Sequence, residues 1–321
     1  MTQLLPSCIA ISAALFSSLT LADDNNATYQ SFQLGITQQS QLFEFNDTDN
    51  ADTRLNVWGK RAQYQVGKGP WNLIMDYHEA DASDSDGNNQ QGYQLDFKTQ
   101  SAGIFVEYAL ENIWLAIGYA DSEDTTEYRV NSIEETSNNN QSKLFLDDSQ
   151  VNYQNFILEG SYVHYTDAGQ FTATWGLTKQ LVEEEIQYRE FNKNTGQLSL
   201  QETTDYQIDE DGVLTNLTLS YGHLFTLGEA FKLALKAGIR REITLSGDGR
   251  IQQTSRGQGG PNNNQTPNAD ELQSTSLSAS TSHQAQLSLL HPIGSISLSV
   301  DKLSDQTFAH SYFSAALSVY F

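Results

Sequence analysis

The chain has 321 residues and a formal net charge of −23, with 38% hydrophobic and 11% aromatic residues. An acidic balance of this size argues against nucleic acid as a partner, and beyond residue 22 no apolar run reaches the ~18 residues that a bilayer-spanning helix needs. Cys8 is the single cysteine and falls in the first 22 residues, so the remainder offers no disulfide framework, thiol nucleophile or thiolate metal site.

Residues 1–22 have the layout of a secretory signal: an apolar core from Ile9 to Phe16, small polar residues, then Thr20-Leu21-Ala22 before the acidic start at Asp23. Its first residues carry no Lys or Arg, and cleavage is expected after Ala22. Leu5-Pro6-Ser7-Cys8 looks superficially like a lipoprotein box, but the apolar stretch follows the cysteine instead of preceding it. The expected organisation is a signal over 1–22 and one β domain over 23–321.

Strand-like alternation begins at Phe32, Leu34 and Ile36, and an acidic patch over 46–52 turns the chain into Leu55 and Val57, then Ala62, Tyr64 and Val66. Parity slips near Gly59, which predicts a bulge there. After the turn Gly67–Pro70, Trp71, Leu73, Met75 and Tyr77 share one face and Asn72, Ile74, Asp76 and His78 the other. The run 93–110 also shifts parity, with Leu95 and Phe97 first and Ile104, Val106 and Tyr108 later. Glu111-Asn112 is a two-residue hairpin into Ile113, Leu115, Ile117 and Tyr119.

The second half repeats the scheme. Strands are expected around Phe156–Tyr162, Phe171–Leu177, Leu217–Tyr221, Phe231–Ile239, Leu277–Leu290, Ile296–Val300 and the C-terminal stretch. Polar excursions over 121–150 and 183–212 and a Gly/Asn/Gln-rich mobile loop over 247–273 lie between some of them. The count is twelve strands, joined alternately by five short turns (Gly67–Pro70, Glu111–Asn112, Asp167–Gly169, Leu227–Glu229, His291–Gly294) and by mostly long polar segments. Aromatics near the short turns (Trp71, Trp114, Tyr162, Tyr165, Tyr221, Phe225, Phe321) would form an interfacial girdle.

The last strand carries the most specific signal. Phe313, Ala315, Leu317, Val319 and Phe321 form an apolar face opposite Tyr312, Ser314, Ala316, Ser318 and Tyr320. The pattern of Ser314, Ala316, Val319 and terminal Phe321 resembles the assembly signal of bacterial outer-membrane β-barrels, with Ala316 where that family usually has Gly. The resemblance implies an all-β, antiparallel up-and-down transmembrane barrel in the outer membrane of a Gram-negative cell. Short turns would face the periplasm and long segments the outside. It also implies outer-membrane lipid and lipopolysaccharide as surroundings, and the barrel-assembly machinery as a partner through the C-terminal strand. A water-soluble β-sandwich alternates in the same way and is the structural rival. An autotransporter is not expected, because strands begin within about ten residues of the expected cleavage site.

A barrel of about twelve strands encloses either a narrow pore or a filled lumen. Lys232, Lys236 and Arg240 form a basic ladder on the face opposite Phe231, Leu233, Leu235 and Ile239, spaced four apart. Such a ladder would select small polar or anionic solutes; pairing with Asp76, Asp96 or Asp301, also expected to line the lumen, is the plainer role. No catalytic residue is assigned. Asp76-x-His78 is the candidate pair for a protease- or lipopolysaccharide-hydrolase-type site at the outer rim, similar in spacing to the Asp/His sites of the omptin proteases, with a structural salt bridge as the bland alternative. Glu183–Glu185, Asp209–Asp211 and Asp147–Asp148 are expected to be solvated loop surface, not a complete cation site, and no metal or cofactor is expected. A narrow channel leads, with a rim enzyme and a structural or adhesive surface barrel as alternatives.

Overall fold

The computed structural model describes residues 28–43, 53–87, 92–136, 139–194, 197–257, 268–272, 279–303 and 311–321. The signal segment and the connections among the remaining residues lie outside it. The strands are β1 Thr28–Phe43, β2 Thr53–Lys68, β3 Trp71–Gly87, β4 Gly92–Leu110, β5 Ile113–Thr136, β6 Asn139–Thr166 and β7 Gly169–Asn194. They continue with β8 Gln197–Thr226, β9 Lys232–Gly257, β10 Asn268–Leu272, β11 Ala279–His291, β12 Gly294–Leu303 and β13 Ser311–Tyr320. Twelve of these form one antiparallel wall in the order β9-β11-β12-β13-β1-β2-β3-β4-β5-β6-β7-β8, and β8 pairs back onto β9 to close it. The five-residue β10 lies on the far end of β9 as a thirteenth strand.

Closure answers the problem set by lipid, where every backbone N–H and C=O must find a partner within the protein. β1 joins the C-terminal strand from Ser31↔Tyr320 to Ser40↔Ser311, and Gln30 and Phe321 exchange two further hydrogen bonds of 3.0 Å. Outward residues around the closed wall form an apolar band that includes Leu34, Ile36, Ile104, Ile117, Leu158, Trp175, Leu219, Ile239, Leu298 and Leu317, all exposed. Trp71, Tyr162, Tyr165, Tyr221, Phe225 and Phe321 are exposed near its turn-side edge. Trp114 differs: its alternation with outward Ile113 and Leu115 turns it into the barrel.

The expected polar excursions over 121–150 and 183–212 are strands. β5 to β8 are 24, 28, 26 and 30 residues long, and only residues 137–138 and 195–196 separate β5 from β6 and β7 from β8. At ~3.3 Å per residue such strands are two to three times as long as the stretch of about ten residues that crosses a membrane, so their outer parts stand in water. There a ladder needs no continuous apolar face, which is why the sequence resembles loop. Part of the expected mobile loop is likewise strand: 247–257 belongs to β9 and 268–272 is β10.

No bulge occurs at Gly59. The pairing Thr37↔Gly59↔Ala80 belongs to unbroken registers on both sides, and β4 keeps register from Gly92 to Leu110. Leu55, Val57, Leu95 and Phe97 instead face inward, at 3%, 0%, 0% and 4% exposure, and pack with Ala80, Tyr128 and Val130. The backbone parity is constant and the solvent is what changes: the apolar side faces lipid at membrane level and turns inward above it. The register shifts that do occur leave Gln201 of β8 and Leu245 of β9 unpaired.

Leu95→Ala should therefore cost about 2–5 kcal/mol, as expected for emptying a fully packed aliphatic site. Its outward neighbour Gln94, changed to Ala, should shift stability by no more than about 0.5 kcal/mol. Denaturant unfolding of the barrel in detergent separates the two; equal effects would return Leu95 to the outer face.

Candidate functional site in the barrel interior

At membrane level the inner wall divides by strand. On β3 to β6 it is partly apolar: Ile74, Phe105, Ala120 and Ile157 form a buried cluster, and Phe105 lies flat on the wall because Gly103 and Gly118 leave the space. A Cβ at Gly118 would come 2.0 Å from the Phe105 ring. On β11 to β13 the wall is made of short hydroxyl side chains that bond one another, with Ser288 to Ser297 at 2.8 Å, Ser299 to Ser314 at 2.6 Å, and the Tyr320 hydroxyl donating to Ser295 Oγ at 2.9 Å.

Ionisable groups stand on this frame. Arg61 Nε donates to Asp76 Oδ1 at 2.8 Å, with side chains only 13% and 11% exposed, and Arg61 also meets the hydroxyl of Tyr312 from β13. His78 Nε2 lies 2.8 Å from Thr37 Oγ1. Asn72 Nδ2 donates to Glu107 at 2.7 Å. A narrow cavity opens between Arg61, Asp76, Phe105, Glu107, Ile157 and Glu159. Asp76 and His78 do share the inner face, but each is engaged by another residue. They also lie mid-strand, because β3 continues to Gly87, so the expected rim position is replaced by one inside the wall.

Lys232, Lys236 and Arg240 alternate inward along β9. Arg240 pairs with Glu242 two residues along its own strand, at 2.7 Å, and its charge also reaches Glu159. Lys236 makes no hydrogen bond or ion pair among the described residues. Asp301 faces inward and accepts from Gln284 Nε2 at 2.9 Å. Asp96 does not line the lumen. Inward Leu95 and Phe97 flank it, and it shares the outer face with Gln94, which bonds it at 2.7 Å. The expected partners are thus replaced: Asp76 holds Arg61, and Arg240 holds Glu242. On β13, Ser314 and Ala316 face inward and Val319 and Phe321 outward.

Sequence inspection missed Arg61, Glu107, Glu159 and Glu184. Arg61 shares a face with Gln63 and Gln65, a signal hidden by the supposed slip at Gly59. Glu184 belongs to a stretch taken for loop, yet is 9% exposed on the inner face of β7 and accepts from Ser149 Oγ at 3.4 Å. Burial, reinforced by Glu210 and Asp147, raises it to about 7 despite that hydrogen bond. Burial and the neighbouring Asp148 likewise raise Asp147. Among the described residues no three His, Asp or Glu side chains converge as a metal site.

No family model matches the sequence, and no curated protein does. Solved structures do match. The translocator domain of the autotransporter NalP from Neisseria meningitidis aligns with a TM-score of 0.56 at 10% identity, covering 94% of this chain and 91% of that one. The beta domain of the Bordetella autotransporter Brka aligns with a TM-score of 0.51 at 13% identity, over 92% and 100%. The fold is that of an outer-membrane β-barrel. At these identities the likeness extends to the fold alone. A FadL homologue of Pseudomonas aeruginosa also aligns, with a TM-score of 0.46 at 9% identity over 92% and 90%.

Two outcomes test the interior. Asp76→Asn leaves the Arg61 guanidinium without its carboxylate and should cost ~3 kcal/mol in denaturant unfolding, near the lower end for a broken buried pair. Glu184 is raised in the folded state, so its favourable contribution is complete below the ordinary carboxylate range and is lost as pH rises through about 7. Hydrogen exchange in the outer parts of β6 to β8 should quicken, beyond its intrinsic pH dependence, between pH 5 and 8, and Glu184→Gln should flatten that excess.

Proposed function

We propose that this barrel is a narrow passive channel for small polar or anionic solutes. The observation that carries this is Lys236: an ammonium on the inner face at membrane level, with no hydrogen bond or ion pair among the described residues. Burying such a group without a partner is prohibitively costly, and an ionisable group inside a membrane-spanning structure marks a hydrated path or a counter-ion site. A hydrated path or a passing anion beside Lys236 would relieve that cost. Apolar side chains fill the interior nearest β2 to β6 above the membrane, which leaves the side of β9 and the hydroxyl-lined β11 to β13 for the path. β9 lies six strands from β3 in either direction around the twelve-strand wall, so Lys236 and Arg240 stand across the lumen from Asp76. Asp76 is neutralised by Arg61 and Arg240 by Glu242, so Lys236 is the charge left facing the path, and it draws anions to that side.

Neither the rim enzyme nor the adhesive barrel gains a comparable observation. In planar bilayers the purified protein should give small, steady unitary currents. Lys236→Gln combined with Arg240→Gln should lower the anion-to-cation permeability ratio severalfold. A folded, membrane-inserted protein that passes no current at any pH, or a selectivity unaffected by the double change, would remove the channel.

A further inference from the structure

We propose that the outer wall of β9, β11 and β12 binds a lipid-borne phosphate of the outer leaflet through Arg241, His283 and Lys302. All three face outward and are exposed. Each stands at the outer edge of the apolar band, two residues beyond Ile239, Ala285 and Val300 on its own strand. Register brings them together: His283 is directly across from Lys302, and Arg241 is across from Thr281, one diagonal step from His283. None of the three makes a hydrogen bond or ion pair among the described residues. The outward positions around them in the described wall are Leu217, Ile243, Thr281 and Ser311, so no described carboxylate faces outward beside the cluster.

The location decides the ligand. At the edge of the apolar band the groups within reach are lipid headgroups, and the chemistry complementary to a guanidinium, an imidazole and an ammonium is phosphate, which Arg grips through two parallel N–H donors. The same boundary on β3 and β5 carries outward Glu79, Asp121 and Glu123, which would repel a phosphate. In a chain of net charge −23, two unpaired cations flanking an imidazole on one arc of the boundary make a local reversal of sign. A cation near a charged membrane surface contributes about fivefold to binding of an anionic headgroup. Loss of two should therefore weaken binding by about thirtyfold.

The full-length barrel, folded in detergent, would be titrated by native mass spectrometry with bisphosphorylated lipid A, with the same lipid after dephosphorylation, and with lipid A in the presence of millimolar inorganic phosphate. We expect one retained lipid A. Arg241→Gln combined with Lys302→Gln should weaken its binding about thirtyfold, and the dephosphorylated lipid should bind no better than that variant retains lipid A. Inorganic phosphate should not displace the lipid, and Lys98→Gln, an outward cation on β4 away from the cluster, should change nothing. Heat-modifiable gel migration reports whether each variant is folded; if the first pair fails to fold, His283→Gln with Lys302→Gln tests the same site. Binding by the double variant within twofold of the parent, equal binding of the dephosphorylated lipid, or displacement by inorganic phosphate would each overturn the site.

Discussion

Everything in this fold depends on an unbroken circuit of backbone hydrogen bonds. An open sheet of this length would present two edges of unpaired N–H and C=O groups to hydrocarbon, at a cost of several kcal/mol for each orphan. Pairing of the first strand with the last, β1 with β13, joins the two edges to each other, and the remaining strands follow one another as neighbours around the wall. The sequence around this junction shows what close pairing requires. Gly35 lies directly across from Ala316, and a Cβ there would approach the Ala315 carbonyl oxygen to 3.0 Å and the Ala316 methyl to 3.3 Å. With Ala in the C-terminal strand, where the barrel signal usually has Gly, the missing side chain is supplied from the partner strand.

Once the wall is closed, alternation assigns each residue to one of two solvents, and the outer one changes with height. At membrane level the outside is lipid, so Ile104 and Ile117 face out while Arg61, Asp76 and Lys236 face in. Above it the outside is water, and burying Leu55, Val57, Leu95 and Phe97 within stabilises the extended hairpins as an ordinary core does. That same extension brings Asp147, Glu184 and Glu210 close together on its inner side, where burial and mutual repulsion hold Glu184 near neutrality. One barrel thus combines an ion-bearing lumen with a partly apolar outer extension that buries carboxylates.

This inversion explains what could and could not be extracted from the sequence. Twelve alternating segments, five short turns and the aromatic C-terminal strand were enough to anticipate a closed antiparallel barrel, because at membrane level the apolar set stays on one parity. Leu95 and Phe97 against Ile104 and Val106 looked like a shift of register, since periodicity alone cannot distinguish a slipped backbone from a reversed environment. Strands wetted on their outer face, as in 121–136 and 183–194, have little apolar alternation and passed for loops. The inward direction of Lys236 and Arg240 was legible from their own strand. Their partners were not, because Arg61 with Asp76 and Arg240 with Glu242 depend on which strands adjoin and on side-chain reach, and Asp96 was misplaced by the supposed parity change in β4.

The distribution of charge then follows from the same geometry. Acidic residues can accumulate on the extended hairpins because solvent reaches their outer faces, and the excess of carboxylates in the chain gives the low sequence pI of about 4.4. Cations are few, 17 Lys and Arg against 40 Asp and Glu, and several occupy places where a carboxylate would be costly or useless. Arg61 and Arg240 stand among lumen carboxylates, Lys236 faces the lumen, and Arg241 and Lys302 stand at the outer edge of the apolar band. Arg240 and Arg241 are consecutive, and the two-residue period of a strand sends the first inward to Glu242 and the second outward to the headgroup region. A one-residue slip of β9 would exchange them, placing an ion-paired group in lipid and an apolar row in the lumen, so the register that closes the barrel also sorts its charges between lumen and membrane.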